Sequence, residues 1–181
     1  MKDWSLVTQA VLPGDLICVK HLSPKDYLAD AIEWFSNGDV SHTVTCLGDG
    51  VVIDAQPTGI KKVLLTNFLR EDYRLTLRRL EVGDGVKVAQ ASAGHAVVRY
   101  DLKGLVGSVV FGLLGKMRMF PAQRWFGKKL HGSRCSYTCS EEYATAVWQG
   151  VGVDLAPGKD YDLVTPHDLL KHPLLKTIAV V

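Results

Sequence analysis

Two strand-like runs joined by a glycine-rich turn constrain the fold of this chain more than any other feature. Val44 and Cys46 alternate with polar residues at 42–47, and residues 51–55 form a second, more apolar run. Gly48-Asp49-Gly50 between them is typical of hairpin turns, because glycine and aspartate tolerate positive φ. The pattern predicts a β-hairpin, which needs further elements to bury its apolar face.

The rest of the chain alternates between helix and strand signals without an internal repeat. Residues 16–19 are predicted to form a short strand after the Pro13-Gly14-Asp15 turn, and residues 23–36 a helix that starts at Ser23 and Pro24. Other predicted elements are strands at 59–63, 73–80 and 177–181, a short helix at 66–69, a helix from 85 to about 98 and a capped helix at 165–170. This mixture predicts one α+β domain over residues 1–181.

Composition excludes several classes of protein. Hydrophobic residues make up 47% and charged residues 22%, which is ordinary for a globular protein, and Lys+Arg 21 against Asp+Glu 19 is too balanced to predict nucleic-acid binding. The four cysteines lack metal-site spacing, so neither a metal nor another cofactor is expected. No signal peptide and no apolar run of roughly 20 residues are found, so a cytoplasmic location with reduced thiols is expected.

A cysteine occupies the predicted start of a helix at 139–149, which is expected to end at Gly150. Ser140 and two glutamates follow Cys139 in the first turn, as is common where helices begin. The positive end of the helix dipole favours the thiolate, which is the nucleophilic form of a cysteine. The alternative is that Cys139 is a small buried hydrophobe on a core helix. Cys135, which no helix-start signal follows, is expected to be a loop residue.

A reactive thiol needs a base, and His42 is the strongest candidate. It opens the first strand of the predicted hairpin, and Asp54 lies on the second strand at the open end. A carboxylate beside an imidazole orients it and fixes its tautomer. The alternative is that Asp54 pairs with Lys61 and that His42 is solvated. The other five histidines are expected to be solvated or to cap helices: His21, His95, His131, His167 and His172.

Five segments, taken in order along the chain, resemble one protein family. They are Pro13-Gly14-Asp15-Leu16-Ile17; Ile32-Glu33-Trp34-Phe35 with Gly38-Asp39-Val40-Ser41-His42; the run from Leu47 to Ala55; Tyr100-Asp101-Leu102; and Cys139-Ser140-Glu141-Glu142-Tyr143. As a set they are similar to the circularly permuted branch of the NlpC/P60 (papain-like) superfamily, which includes YiiX/YebB-like proteins and lecithin:retinol acyltransferase-like enzymes. The resemblance covers most of the chain outside 103–134. It implies a permuted papain-like fold, with a small antiparallel sheet or barrel packed against helices.

The resemblance also implies a catalytic triad and its chemistry. Cys139 would be the nucleophile, His42 the base and then the acid, and Asp54 the residue that orients His42. The implied reaction is hydrolysis of an amide, as in a cell-wall peptide, through a thioester. A lipid or other acyl ester as substrate, with hydrolysis or acyl transfer, is the alternative, and a catalytically inactive binding module is another. The candidates for contacting substrate are Ser41, Tyr100 and Tyr137.

Residues 103–134 depart from the family pattern. They are glycine-rich and apolar at first, and then combine aromatic residues with five basic ones. One interpretation is a lid or an amphipathic surface element that contacts an acyl chain or anionic lipid. The other is an insertion that completes the core. The expected partners are therefore a small peptide, a peptidoglycan fragment or an acyl lipid, and a phage or a secretion system would be needed to bring the protein to a cell wall.

Overall fold

The computed structural model describes residues 2–22, 38–56, 58–97, 99–100, 136–159, 161 and 164–181. The predicted helix at 23–36, the segment 103–134 and Cys135 lie outside these ranges. The strands are β1 (Leu16–His21), β2 (His42–Gly48), β3 (Val51–Gln56), β4 (Gly59–Leu64), β5 (Tyr73–Leu80), β6 (Arg99–Tyr100), β7 (Ser136–Tyr137) and β8 (Leu175–Val180). The helices are α1 (Ser5–Thr8), α2 (Gly85–Gly94), α3 (Cys139–Val151) and α4 (Pro166–Lys171), with 3-10 turns at Leu65–Phe68 and His95–Val97.

Six of the strands form an open antiparallel sheet in the order β4-β3-β2-β1-β5-β8. The class is therefore α+β, as predicted. The hairpin of β2 and β3 is also confirmed, with Val44 opposite Asp54 and Cys46 opposite Val52. Its turn needs three consecutive residues with positive φ, which explains the composition Gly48-Asp49-Gly50. The two short strands β6 and β7 pair separately, in parallel.

Apolar side chains cover both faces of the sheet. On β1, Leu16 and Cys18 join one cluster with the helix residues Val88, Tyr143 and Leu169. The alternate residues of β1 join a second cluster on the opposite face, which includes Val7 of α1, Phe68, Val44 and Cys46. Since side chains alternate along a strand, Thr43 and Thr45 of β2 face α2 and α3.

The predicted end of the cysteine helix is wrong by two residues. α3 continues through Gly150 to Val151 and ends at Gly152, whose φ of 69° is the left-handed conformation that favours glycine. Gly150 has a different role. A Cβ atom there would lie 2.8 Å from the backbone of Lys87, so the missing side chain lets α2 and α3 approach closely. Helix α1 was not predicted.

The Pro13-Gly14-Asp15 turn joins three parts of the molecule. Asp15 accepts hydrogen bonds from Arg79 Nε at 2.8 Å and Nη2 at 2.7 Å, and the Leu12 amide also donates to its carboxylate. The Tyr143 hydroxyl on α3 donates to the Gly14 carbonyl oxygen at 3.2 Å. The turn therefore ties β5 and α3 to the start of β1. In the ranges described above, no helix has the length and apolar character needed to cross a membrane.

Candidate active site

His42 and Asp54 form a hydrogen-bonded pair at the open end of the hairpin. Asp54 lies opposite Val44. His42 is two residues before Val44 on β2, so His42 and Asp54 lie on the same face of the sheet. The distance from His42 Nε2 to Asp54 Oδ1 is 2.8 Å, and the other carboxylate oxygen accepts a hydrogen bond from Gln56 Nε2 at 2.5 Å. Lys61, although opposite Asp54 on β4, donates to the Thr58 hydroxyl. The Asp54 carboxylate thus engages His42, in contrast to the alternative that it pairs with Lys61.

Cys139 is the first residue of α3, and its position is fixed by a capping box. The Thr138 hydroxyl accepts a hydrogen bond from the Glu141 amide at 3.4 Å, and the Glu141 carboxylate accepts one from the Thr138 amide at 3.1 Å. The Cys139 amide has no partner within the helix, as is general for the first turn. Cys139 is 7% exposed and packs against Ile53, Ala55 and Ile60.

The thiol of Cys139 meets β2 at the point where β2 and β3 separate. The His42 imidazole and the polar groups of Thr43 lie close enough to this sulfur to lower the pKa of the thiol. The Thr43 hydroxyl is buried and has no hydrogen-bond partner among the described residues. His42 Nε2 faces Asp54, so Nδ1 is the ring nitrogen that this carboxylate does not engage. The β2–β3 ladder begins only at Val44, which leaves the Thr43 amide outside it and available to the sulfur.

These contacts favour a thiolate–imidazolium pair. Burial alone would lower the pKa of His42, but the charge of Cys139 and the hydrogen bond to Asp54 outweigh it and raise this pKa to about 10. Burial alone would raise the pKa of Cys139, but the charge of His42 and the nearby polar groups of His42 and Thr43 lower it. Each partner therefore stabilises the charged form of the other.

The surroundings of the two other described cysteines raise the pKa of the thiol instead of lowering it. Burial raises the pKa of Cys18 to about 12, and burial also raises the pKa of Cys46 above its ordinary value. Neither lies at a helix start. Cys139 is thus the one described thiol whose surroundings favour the nucleophilic form.

Of the three side chains predicted to act together, the His42 imidazole is the most exposed to solvent. The His42 side chain is 23% exposed, whereas that of Asp54 is 3% exposed. The ring also lies nearly parallel to that of Phe68, with centroids 6.3 Å apart, which limits its rotation. An imidazole beside a thiol suits nucleophilic attack coupled to proton transfer.

The residues predicted to contact substrate have mixed placements. Ser41 is 3% exposed, and its hydroxyl is buried and has no hydrogen-bond partner among the described residues. Tyr100 and Tyr137 lie opposite each other in the β6–β7 pair, which brings two distant parts of the chain together. Their side chains lie outside the described part of the structure, so their contact with a substrate stays a prediction.

Sequence reasoning missed three residues at or next to this site: Thr43, Glu142 and His95. Of the two roles expected for His95, the capping role is confirmed, since it is the C-cap of α2, but its side chain is not solvated: it is 5% exposed and bonded to Glu142 and Gln149. The available signal was helical spacing, because Glu142 and Gln149 are seven residues apart and so lie on one face of α3. Thr43 had no sequence signal beyond its position next to His42.

Searches against known proteins add no relative. No protein-family model matches the chain, and no curated protein has a significant match to it. Within the described ranges, no cluster of three or more His, Cys, Asp or Glu residues is arranged to hold a metal ion.

Proposed function

We propose that this protein is a cysteine hydrolase that cleaves an amide bond through a thioester, with Cys139, His42 and Asp54 as its triad. The observation that carries the proposal is the placement of one imidazole between a carboxylate at 2.8 Å and a thiol at a capped helix start. This is the arrangement that activates a nucleophile and orients its base. The open antiparallel sheet with the cysteine helix on one face is consistent with the permuted papain-like fold, which is proposed with the function.

The reaction follows from the positions of the groups. The Cys139 thiolate attacks the carbonyl carbon, and the carbonyl π electrons move to oxygen. The Cys139 amide, which has no hydrogen-bond partner within the helix, would donate to that oxyanion. When the C–N bond breaks, the leaving amine takes the proton of His42, and a thioester remains on the sulfur. Neutral His42 then accepts a proton from water, whose hydroxide attacks the thioester and restores the thiolate and the imidazolium.

The charged state of His42 favours an amide over an ester as the substrate. An amine leaves only when it is protonated, whereas an alkoxide leaves more easily. With its pKa raised to about 10, His42 holds a proton throughout the neutral range and can supply it to the amine. The amide of a small peptide or peptidoglycan fragment is therefore the first class to test, and acyl lipids the second.

The test is to trap the acyl-enzyme. The protein is incubated separately with peptidoglycan fragments, a peptide mixture and a lipid extract, quenched in acid and measured by intact mass. We expect a mass increase located at Cys139 and released by hydroxylamine, as a thioester is. The class of extract that yields the adduct identifies the class of substrate.

Matched variants separate catalysis from binding. Cys139→Ala should form no adduct, and Cys18→Ala, which removes a buried thiol with a raised pKa, should form the same adduct as the wild type. His42→Gln should acylate more slowly by at least about 100-fold, as expected for loss of a general acid–base group. Retention of an extract component by the wild type and Cys139→Ala alike, without a covalent adduct, would indicate a binding module and overturn the proposal.

A further inference from the structure

A buried carboxylate lies one helical turn after Cys139 and is not explained by the triad. Glu142 is 2% exposed, and its Oε2 accepts a hydrogen bond from the Thr45 hydroxyl at 2.6 Å. Its Oε1 accepts one from the Ser92 hydroxyl at 2.6 Å and lies 3.1 Å from His95 Nδ1. His95 Nε2 lies 3.1 Å from the Gln149 side-chain oxygen. The carboxylate thus has partners on β2, on α2 and in the 3-10 turn that follows α2.

Glu142 and Cys139 lie on the same face of α3 and approach neighbouring positions on the same face of β2. Thr43 and Thr45 are two residues apart on the strand and share a face. Cys139 and Glu142 are three residues apart on the helix and share a face. Cys139 meets Thr43, and Glu142 meets Thr45. The second contact fixes how the first turn of α3 lies along the strand that carries His42.

We infer that Glu142 is a positioning residue for the nucleophile, which acts through Thr45 to hold Cys139 against His42 and Thr43. This inference rests on the proposed function, because it concerns the reactivity of Cys139. Ser92 and His95 have a different part. They satisfy the second oxygen of a carboxylate that would otherwise be too costly to bury.

The mechanism is geometric. Electrostatic stabilisation of the thiolate weakens with distance, and the charge of His42 and the polar groups of His42 and Thr43 lower the pKa of Cys139. If the first turn of α3 moves along β2, the distances from the sulfur to these groups increase and the thiol form is favoured. The rate of alkylation at low pH then falls, whereas the rate at high pH, where any thiol is ionised, does not change.

Three single variants and one conservative variant test this by the alkylation of Cys139 with iodoacetamide across pH, mapped by mass spectrometry. We expect Thr45→Val and Glu142→Gln to lower the rate at about pH 6 by about tenfold, which corresponds to a rise of one unit in the thiol pKa. Ser92→Ala removes an equally short bond to the same carboxylate, but from α2, which carries no triad residue, and should leave the titration unchanged. Thr45→Ser keeps the hydroxyl and should behave as the wild type.

The outcomes separate this inference from the proposed function. A wild-type Cys139 with an ordinary pKa would overturn the proposed function and this inference together. A lowered pKa that persists in both Thr45→Val and Glu142→Gln would overturn this inference alone, even if both variants unfold at lower temperature. If Glu142→Gln does not fold, the comparison of Thr45→Val with Thr45→Ser decides the question. An equal effect of Ser92→Ala would show that the carboxylate is needed only for stability, and would likewise overturn the inference.

Discussion

The imidazole of His42 is influenced by two groups that are negatively charged in the reactive state. Its Nε2 lies 2.8 Å from Asp54 Oδ1, and the charge of Cys139 also raises its pKa. The proton can lie on the ring or on the sulfur, and Asp54 favours the ring. Asp54 therefore favours the thiolate of Cys139 indirectly, through the imidazole.

Asp54→Asn should move the proton from His42 to Cys139. Without the carboxylate charge the imidazolium is less stable, so the thiolate should form at a pH higher by about one unit or more. The ultraviolet absorbance of the thiolate, measured across pH as the difference from a Cys139→Ala background, gives this midpoint directly. Asp49→Asn changes the exposed hairpin turn in the same chemical way and should leave the midpoint unchanged. Equal midpoints in the wild type and Asp54→Asn would contradict the role of Asp54.

At the residue scale, the parts of the site with a local signal were predictable. His42 and Asp54 belong to one hairpin, and Cys139 marks a helix start, so each could be picked out from its own segment. The contacts of Glu142 were not predictable, because they join residues 97, 50 and 47 positions apart. Only the packing of α2 and α3 on β2 determines which buried polar residues meet.

At the scale of elements, the first turn of α3 carries both the cap and the nucleophile. Two helices begin with the same device, since Thr138 caps α3 and Thr165 caps α4, each in a capping box. The Thr138 bonds hold the backbone on either side of Cys139. The cap of α4 has the same local energetics but holds no triad residue. The two caps are therefore a matched pair.

Thr138→Ala and Thr165→Ala should each lower the free energy of unfolding by about 1 kcal/mol, the usual effect of losing a threonine cap. Only Thr138→Ala should also raise the thiol pKa, because the first turn frays where Cys139 lies. Urea unfolding measures the first effect, and alkylation of Cys139 across pH measures the second. A shift of the thiol pKa in Thr165→Ala as well would mean that general loosening, and not the cap, sets the reactivity.

Gly150→Ala should destabilise the protein although alanine is the better helix former. The new Cβ atom would lie 2.8 Å from the Lys87 carbonyl and 2.9 Å from the Val88 amide nitrogen, which are backbone atoms that cannot turn away. We expect a loss of about 1–3 kcal/mol, as for other overpacked sites, measured by urea unfolding. A Cβ atom added at Gly94 would meet no neighbouring group of the described residues within 4 Å, so Gly94→Ala is the control and should be neutral or stabilising. A stable Gly150→Ala would contradict the close packing of α2 and α3.

The same glycine shows what an element pattern can and cannot predict. Alternation and turn residues predicted the strands of the sheet to within a few residues, because those signals are local. Gly150 was predicted to end α3, since glycine at the end of an apolar pattern is typical of a helix terminus. Its role depends on a neighbour on another helix, Lys87, which is far away in the sequence, and a local pattern contains no information about it.

For the whole molecule, the pKa shifts of Cys139 and His42 oppose each other in their effect on proton uptake. Between the ordinary pKa values of 6.5 for histidine and 9.0 for cysteine, the unfolded pair holds its proton on sulfur, and the lowered pKa of Cys139 and raised pKa of His42 favour the ring in the folded pair. The triad therefore adds little pH dependence to stability in this range. Histidines outside the triad do add pH dependence to stability. Folding raises the pKa of His95 and lowers the pKa of His172.

His95 should stabilise the fold more in acid than in base. Burial alone would lower the pKa of His95, but the hydrogen bonds and charge of Glu142, together with Gln149, raise it above the unfolded value. Its contribution is therefore complete below the unfolded pKa and is lost as the pH rises through the folded pKa. Urea unfolding of the wild type and His95→Gln at about pH 5.5 and about pH 9 should show a larger difference in free energy at the lower pH.

His172→Gln is the control for this measurement, because its pH trend should be reversed. Burial and the charge of Arg78 lower the pKa of His172. The wild type therefore loses folding stability at a pH below the unfolded pKa of histidine, and His172→Gln removes that loss. The cost of His172→Gln should thus be smaller at about pH 5.5 than at about pH 9, opposite to that of His95→Gln. If His95→Gln costs the same free energy at both pH values, the Glu142–His95 pair is not an ion pair in the folded protein. The contact of His95 with Glu142 on α3 would then be a neutral hydrogen bond, and it would add no pH dependence to the free energy of unfolding.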